Sequence, residues 1–344
     1  MLMDLISEIK THSNFHQLLT WFLSPKSAYI ENEEPWNIEL FAENICYLYN
    51  NLPFYNKNLV STTINIPEYN ENDYPKSDKI FLKPIQSLRS YLNRELKYYL
   101  VDFLIHGSIS TIDYSIGWSD FDTFVILKSQ TFKDPKDLIK FRKKIIEAHS
   151  FLLEIDPFQH HGYIFCTEYG LDQYFSHFLP EKALNKSKSL IRSNKIKIQA
   201  YRDPNSSIKA FSSKNDLFKK AFERKILIHH KYRNEYLQED FKNINTMYQM
   251  KYFLSLLMLL PALYLDAIGE PCYKKDSFSK VKKNFINEWE IIDKASQIRT
   301  LWQTKEEFPY TTNKIPIWIV EILGDNYFYR AYKLSSKMLE TISK

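Results

Sequence analysis

Residues 104–127 read LIHGSISTIDYSIGWSDFDTFVIL, and this stretch decides how the whole chain is interpreted. An apolar lead-in ends at a small-residue turn, Gly107-Ser108. Eleven residues later, two acids, Asp120 and Asp122, flank one apolar residue and precede the β-prone run TFVIL. This order predicts two neighbouring strands that have the turn and the acids at one end.

The turn and the two acids indicate a site for a metal ion and a triphosphate. Because side chains alternate along a strand, Asp120 and Asp122 share a face and repel each other unless a cation lies between them. Their oxygens suit Mg²⁺, which proteins hold with one or two carboxylates and substrate phosphates. The backbone at Gly107 and Ser108 can approach a polyphosphate and offer N–H groups and a hydroxyl. The plainer alternative is a surface turn and an edge strand with two solvated acids.

The joint pattern resembles the signature of the DNA polymerase β-type nucleotidyltransferase superfamily, in which Gly-Gly or Gly-Ser precedes a spacer of similar length and then Asp-x-Asp. The resemblance implies that Asp120 and Asp122 hold Mg²⁺ (or Mn²⁺) on the phosphates of a nucleotide. It also implies nucleotide contacts from Gly107, Ser108 and Ser119, the last of which directly precedes the first acid. A second ion would activate an acceptor hydroxyl for in-line attack on the α-phosphorus, with release of pyrophosphate.

The superfamily usually places a third carboxylate on a strand after the next helix. Asp134 and Pro135 have the residue types of an N-cap and a first helical position, and they predict such a helix ending near Ser150. Residues 151–168 then resemble two β-like stretches around a polar centre. We expect Asp156, in the first stretch, to be the third metal ligand and to help deprotonate the acceptor.

The identity of this third ligand stays open at the sequence level. Pro157 follows Asp156 and cannot donate to a ladder, which limits the strand to an edge or ends it there. The alternatives are no third carboxylate at all, or one of Glu154, Glu168 and Asp172.

Two further positions are candidates for contacts with phosphate or acceptor. His161 is a candidate acid, base or phosphate donor. Adjacent His160 and His161 would face opposite sides of a strand, so the alternative is a polar pair at a strand entrance. Lys275 follows a long helix that stops at Gly269, an arrangement that resembles the helical domain of aminoglycoside adenylyltransferases. That resemblance implies phosphate neutralisation by Lys275 or its neighbour Lys274, and an ordinary solvated helix start is the alternative.

Composition limits the partners and the compartment. The chain has 344 residues, a net charge of +5 and a pI near 8.7, which suits anionic substrates but gives no strong nucleic-acid signal. Its three cysteines lack the CxxC spacing of a zinc ribbon or a disulfide framework. The N-terminus lacks signal-peptide features, and the apolar run over residues 253–268 is too short to span a bilayer. We therefore expect a cytoplasmic protein with no membrane partner.

The predicted fold class is α+β, with a small mixed β-sheet core, flanking helices and then an all-helical domain. Residues 1–82 form a helical or irregular segment that packs on the core. Residues 83–213 form the catalytic core, and residues 214–344 form the helical domain that closes the cleft over the nucleotide.

The sequence thus predicts a metal-dependent nucleotidyltransferase that moves a nucleoside monophosphate from a triphosphate, ATP included, to a hydroxyl of a small-molecule or protein acceptor. A polynucleotide or cyclic-nucleotide synthase is the second hypothesis, and it would need a basic groove. The third hypothesis is a non-catalytic nucleotide-binding module of the same fold.

Overall fold

The computed structural model describes residues 12–25, 27–28, 37–54, 59–159, 162–175, 179–201, 204–229, 239–242, 244–307 and 312–343. The helices are α1 (His12–Phe22), α2 (Ile38–Asn50), α3 (Lys79–Tyr91), α4 (Gly107–Ser110), α5 (Pro135–Ile155), α6 (Glu168–Asp172), α7 (Glu181–Leu184), α8 (Pro204–Arg224), α9 (Met247–Ala267), α10 (Lys274–Lys282), α11 (Glu290–Lys305), α12 (Ile317–Leu323) and α13 (Tyr327–Ile342). The strands are β1 (Leu59–Ile66), β2 (Leu100–Ile105), β3 (Thr123–Leu127), β4 (Ile164–Thr167), β5 (Tyr174–Phe175), β6 (Lys188–Ser189), β7 (Asn194–Tyr201), β8 (Ile226–His229) and β9 (Glu239–Lys242). The protein is a mixed α and β fold with small sheets and a helical C-terminal region, so the fold class is confirmed at that level.

The chain separates into two compact units. The sheet unit comprises Met1–Tyr114 and Asp120–Arg202, and the helical unit comprises Ser115–Ser119 and Asp203–Lys344. The predicted boundary at residue 214 falls inside α8, because that helix runs without a break through this position.

The sheet unit contains two small sheets. In one, the strand order is β4-β3-β2-β6, with β2 antiparallel to β3 and β3 parallel to β4. The other has the order β1-β7-β5. Buried residues from both sheets, among them Leu104, Phe124 and Ile196, form one apolar cluster. The two sheets therefore share a core, and burial of that apolar surface stabilises them together.

Strand β1 lies in the segment that was predicted to be helical or irregular. It pairs antiparallel with β7 along all of its eight residues. Its sequence, LVSTTINI, is rich in β-branched residues, and Ile64 and Ile66 alternate with exposed positions and lie in the shared core. The segment over residues 1–82 thus contributes a strand to the core as well as helices.

Helix α5 continues past its predicted end near Ser150. Its buried positions include Ile145, Ala148, Leu152 and Ile155, which keep the spacing of one helical face to the last residue. The prediction of a β-like stretch directly after Ser150 is therefore wrong, because helix α5 continues there. The second predicted stretch contains β4.

The helical unit is not all-helical. Strands β8 and β9 form an antiparallel pair after α8. Helix α8 ends at Arg224, and Lys225 has a φ of 55°, outside the right-handed helical region. The β-branched sequence ILIH follows and forms β8.

Helix α9 is a long, apolar helix of the helical unit. It begins at Met247 behind a capping box formed by Thr246 and Gln249, and it ends before Gly269 as predicted. By length and composition alone, its 21 residues could cross a membrane, with a mean hydropathy of 1.4 over the most apolar window. The apolar run over residues 253–268 is shorter than this helix because the helix begins six residues earlier, at Met247, and it continues through Pro261. Within the protein 61% of that window is buried, which is the property of a core helix.

Candidate functional site

The Gly-Ser turn and the second acid of the motif meet at one end of β2 and β3. Ile105 and Thr123 are partners in the antiparallel ladder. The N–H of His106 then donates to the carbonyl oxygen of Asp122 at 2.9 Å, which extends the ladder by one residue. The turn that begins at Gly107 therefore lies directly beside Asp122.

Gly107 is a glycine for two physical reasons. Its φ is +69°, in the left-handed region that costs an L-residue roughly 1–2 kcal/mol. A Cβ at this position would also overlap Oδ2 of Asp122 and lie 3.1 Å from its Cγ. The carboxylate of Asp122 thus occupies the space that a side chain at position 107 would need.

Asp120 and Asp122 flank a buried aromatic residue. Phe121 has no exposed surface, whereas both acids are half-buried. This alternation places the two carboxylates on the face opposite Phe121. The regular strand begins only at Thr123, so the acids lie at the entrance of β3 rather than within it. Like charges in this position raise each other's energy unless a cation compensates them.

The short helix α4 is held in place by side chains that the sequence did not single out. The hydroxyl of Tyr74 donates to the carbonyl oxygen of Ile109 at 3.0 Å, and the hydroxyl of Ser110 donates to the carbonyl oxygen of Lys186. Tyr74 is buried, and burial raises the pKa of its phenol well above the usual range. The phenol is therefore a neutral hydrogen-bond donor at neutral pH.

Asp156 ends helix α5 and does not lie on a strand. It is the C-cap residue, and its Oδ1 accepts a hydrogen bond from the N–H of Phe158 at 3.0 Å. Gln159, in the same turn, donates from Nε2 to the carbonyl oxygen of Phe121 at 3.3 Å. The prediction of a strand position for Asp156 is wrong, but its turn is joined through Gln159 to the peptide between the two acids.

The alternative third carboxylates occupy other places. Glu154 is exposed on α5, and Asp172 is exposed at the end of α6. Glu168 follows β4, whose last residue pairs with the last residue of β3, and its carboxylate accepts from the N–H of Ser129 at 2.7 Å. The five residues of β3 therefore separate Glu168 from the acid pair by about 16 Å.

The remaining predicted residues belong to the helical unit or lie outside the described residues. Ser119 belongs to the helical unit, and its Oγ accepts a hydrogen bond from the N–H of Ser115 at 2.8 Å. Lys275 is exposed in the first turn of α10, also in the helical unit. His161, together with His160, lies outside the described residues.

Within the described part of the chain, no three or more His, Cys, Asp or Glu side chains lie close enough together to hold a metal ion. Asp120 and Asp122 thus provide a pair of carboxylates and not a complete coordination shell. A pair fits Mg²⁺ or Mn²⁺ when water and phosphate oxygens complete the shell. The residues suit an ion that arrives with a nucleotide.

A second acidic site, missed by the sequence reasoning, lies on β2. Asp102 has no exposed surface and accepts hydrogen bonds from the hydroxyl of Ser189 at 2.5 Å, the amide of Asn194 at 2.6 Å and the N–H of Phe103 at 2.7 Å. Burial raises the pKa of the Asp102 carboxyl, and these hydrogen bonds oppose the rise. Its partners join β6 and β7 to β2, which is a structural role.

Comparisons of the chain with family models, with curated proteins and with solved structures found no match. The chemistry of the site is therefore argued from the contacts within this chain.

Proposed function

We propose that this protein is a metal-dependent nucleotidyltransferase that moves a nucleoside monophosphate from a nucleoside triphosphate to a hydroxyl group of a small-molecule or protein acceptor. The acceptor oxygen bonds to the α-phosphorus, the bond to the β-phosphate oxygen breaks, and pyrophosphate leaves. The hydroxyl proton passes to a base or to solvent.

One observation carries the proposal: the two halves of the motif, separated by an eleven-residue spacer, are in direct contact. Gly107 has the only residue type that leaves room for the Asp122 carboxylate at this distance. A surface turn beside two solvated acids would need neither a glycine of positive φ nor such close packing. The contact therefore favours a specific binding site over a surface turn and an edge strand with two solvated acids.

The roles of the chain's own groups follow from this geometry. Asp120 and Asp122 present two carboxylates on one face, and the buried Phe121 fixes the peptide between them. The turn at Gly107 and Ser108 brings backbone N–H groups and a hydroxyl beside those carboxylates. A bound Mg²⁺ or Mn²⁺ would neutralise triphosphate charge and lower the pKa of the acceptor hydroxyl. Positioning and charge neutralisation account for most of the rate in such a site.

The test is transfer from α-labelled nucleotides. The full-length protein is incubated with each of four α-³²P-labelled triphosphates, Mg²⁺ or Mn²⁺, and either candidate acceptors or a cell extract. We expect labelled product and pyrophosphate in equal amounts. The double variant Asp120→Asn plus Asp122→Asn should lose at least about 10³-fold in rate, because the carboxylates stabilise charge that the amides cannot.

Asp113→Asn is the matched control, because it removes one negative charge from the same loop outside the acid pair. Asp113 accepts a hydrogen bond from the hydroxyl of Thr111 at 2.6 Å, which an amide oxygen can also accept. We expect this variant to transfer at close to the wild-type rate. Equal losses in the control and the double variant would contradict the assignment of the acid pair.

A second candidate function is a non-catalytic nucleotide-binding module. Two observations favour it. Asp156 caps a helix, and among the described residues no third acid joins the pair. Equilibrium binding separates the two functions. Triphosphate binding that requires Mg²⁺ and the acid pair, without any transfer in the extract, would support the module and contradict the transferase.

A further inference from the structure

The segment that directly precedes Asp120, Ser115–Ser119, belongs to the helical unit. The chain leaves the sheet unit after Tyr114, runs through the helical unit as Ser115–Ser119, and returns to the sheet unit at Asp120. The first acid of the pair is therefore bonded directly to a residue that belongs to the other unit.

Trp118 is the large side chain that holds this segment. Its ring lies 5.1 Å from the ring of Trp302, centroid to centroid, at an interplanar angle of 58°. Trp302 is buried on α11, where its ring also lies 6.2 Å from that of Trp318. Ser115 adds a hydrogen bond from its hydroxyl to the carbonyl oxygen of Arg299 on the same helix, at 3.2 Å. Two contacts thus join the segment to α11.

The segment is also closed on itself. The N–H of Ser119 donates to the carbonyl oxygen of Ser115 at 2.9 Å, and the N–H of Ser115 donates to the Oγ of Ser119 at 2.8 Å. Trp118 donates its N–H to the same carbonyl oxygen at 3.1 Å. Because these bonds fix the backbone, a displacement of the Trp118 ring is passed on to Ser119 and to the next peptide.

The residue before the segment is anchored in the sheet unit. The hydroxyl of Tyr114 donates to Oδ2 of Asp78 at 2.5 Å, and its ring stacks on Phe81 at 5.5 Å. The contacts of Tyr114 therefore lie within the sheet unit, and the segment Ser115–Ser119 begins directly after it.

We propose that Trp118 is a positioning residue, which fixes the turn Ser115–Ser119, and so the backbone that leads into Asp120, through its packing on Trp302. The consequence for catalysis rests on the proposed function, whereas the consequence for the order of the loop does not. Loss of the indole leaves the closed turn without its contact to α11, and the carboxylate of Asp120 then samples a wider range of positions. A metal ion shared with Asp122 is bound less tightly as a result.

The first test is amide hydrogen exchange on the full-length chain. In Trp118→Ala, we expect the peptide over residues 113–122 to exchange about tenfold faster, with no change over α5. Trp318→Ala is the matched control, because it removes an indole that also packs on Trp302 but lies outside the loop. Trp118→Phe should restore slow exchange, since an aromatic ring returns to the contact.

The second test is the Mg²⁺ dependence of nucleotide transfer. We expect the Mg²⁺ concentration for half-maximal rate to rise about tenfold in Trp118→Ala and to stay near the wild-type value in Trp118→Phe and Trp318→Ala. A general loss of folded protein would lower the rate without moving this concentration.

Two outcomes would overturn the proposal. One is wild-type exchange over residues 113–122 in Trp118→Ala, and the other is an equal increase in Trp118→Ala and Trp318→Ala, which would indicate loosening of the helical unit as a whole. If the wild-type protein transfers no nucleotide, the exchange experiment still decides the role of Trp118, so failure of the proposed function is recognised separately.

Discussion

The hairpin of β2 and β3 contains two acidic sites that differ in surroundings. Asp102 is fully buried, and three donors from Phe103, Ser189 and Asn194 satisfy its carboxylate. Asp120 and Asp122 are half-buried, repeat the same charge on one face and lie beside a glycine turn. Asp102 lies on β2, and Asp120 and Asp122 lie at the entrance of β3. The two sites have the same chemical groups and differ in the residues that surround them.

The difference predicts a structural role for Asp102 and a chemical role for Asp120 and Asp122. A buried charge with several donors stabilises the elements that supply those donors, and its removal leaves them without an acceptor. Two like charges at a strand entrance repel each other, and a bound cation would lower that repulsion. Substitution should therefore destabilise the protein at the first site and inactivate it at the second.

The largest stability effect is expected at the first site. Asp102→Ala removes the acceptor of two side chains and one backbone N–H, and it should lower the free energy of unfolding by about 3 kcal/mol. Urea unfolding followed by tryptophan fluorescence and far-UV circular dichroism measures this change. Asp102→Asn keeps one carbonyl oxygen and should cost less than half as much. A loss below about 0.5 kcal/mol in Asp102→Ala would contradict the structural role.

Gly107→Ala should have the next largest effect, and it concerns the contact between turn and acid. The positive φ alone costs an alanine about 1–2 kcal/mol, and the new methyl group must displace the Asp122 carboxylate. We expect a modest loss of stability together with a loss of about 100-fold in nucleotide transfer or in Mg²⁺-dependent binding. Gly269→Ala is the control, because its φ is also positive but nothing lies within 4 Å of the added Cβ. Equal effects of both substitutions on transfer would show that the contact is unimportant.

A smaller effect on stability is expected for the acid pair. Asp122→Asn keeps the shape of a half-buried side chain, so the free energy of unfolding should change by less than about 1 kcal/mol. The same variant should lose transfer activity. Urea unfolding in the absence of divalent ions decides the question. A loss of more than 1 kcal/mol would assign Asp122 to the structure, like Asp102.

The sequence predicted the local part of the candidate site well. The spacing of Gly107 and the acid pair implies two strands joined at one end, and the structure pairs β2 with β3 in that way. Local patterns suffice here because a hairpin brings together residues that are near in the sequence. The functional roles of these residues stay predictions.

The parts that sequence reasoning missed depend on distant partners. Ser189 and Asn194 lie 87 and 92 residues from Asp102, and no periodicity connects them. Gln159 reaches Phe121 across 38 residues in the same way. The prediction of a strand at Asp156 is wrong for a different reason, because the helical spacing of α5 continues past Ser150 to Ile155.

The smallest predicted effect is a dependence of stability on pH. Burial raises the pKa of Asp102 above its unfolded value, so the folded protein binds a proton over a pH range in which the unfolded chain has released it. This contribution is complete below the unfolded pKa, near 3.9, and is lost as pH rises through the higher folded pKa. Asp102→Asn has no such proton, so the melting temperature of the wild-type protein should fall relative to this variant as pH rises from about 3.5 to 7. Calorimetry at several pH values measures the difference. A constant difference, or one that changes in the opposite direction, would mean that the hydrogen bonds from Ser189 and Asn194 outweigh burial and keep Asp102 ionised in the fold.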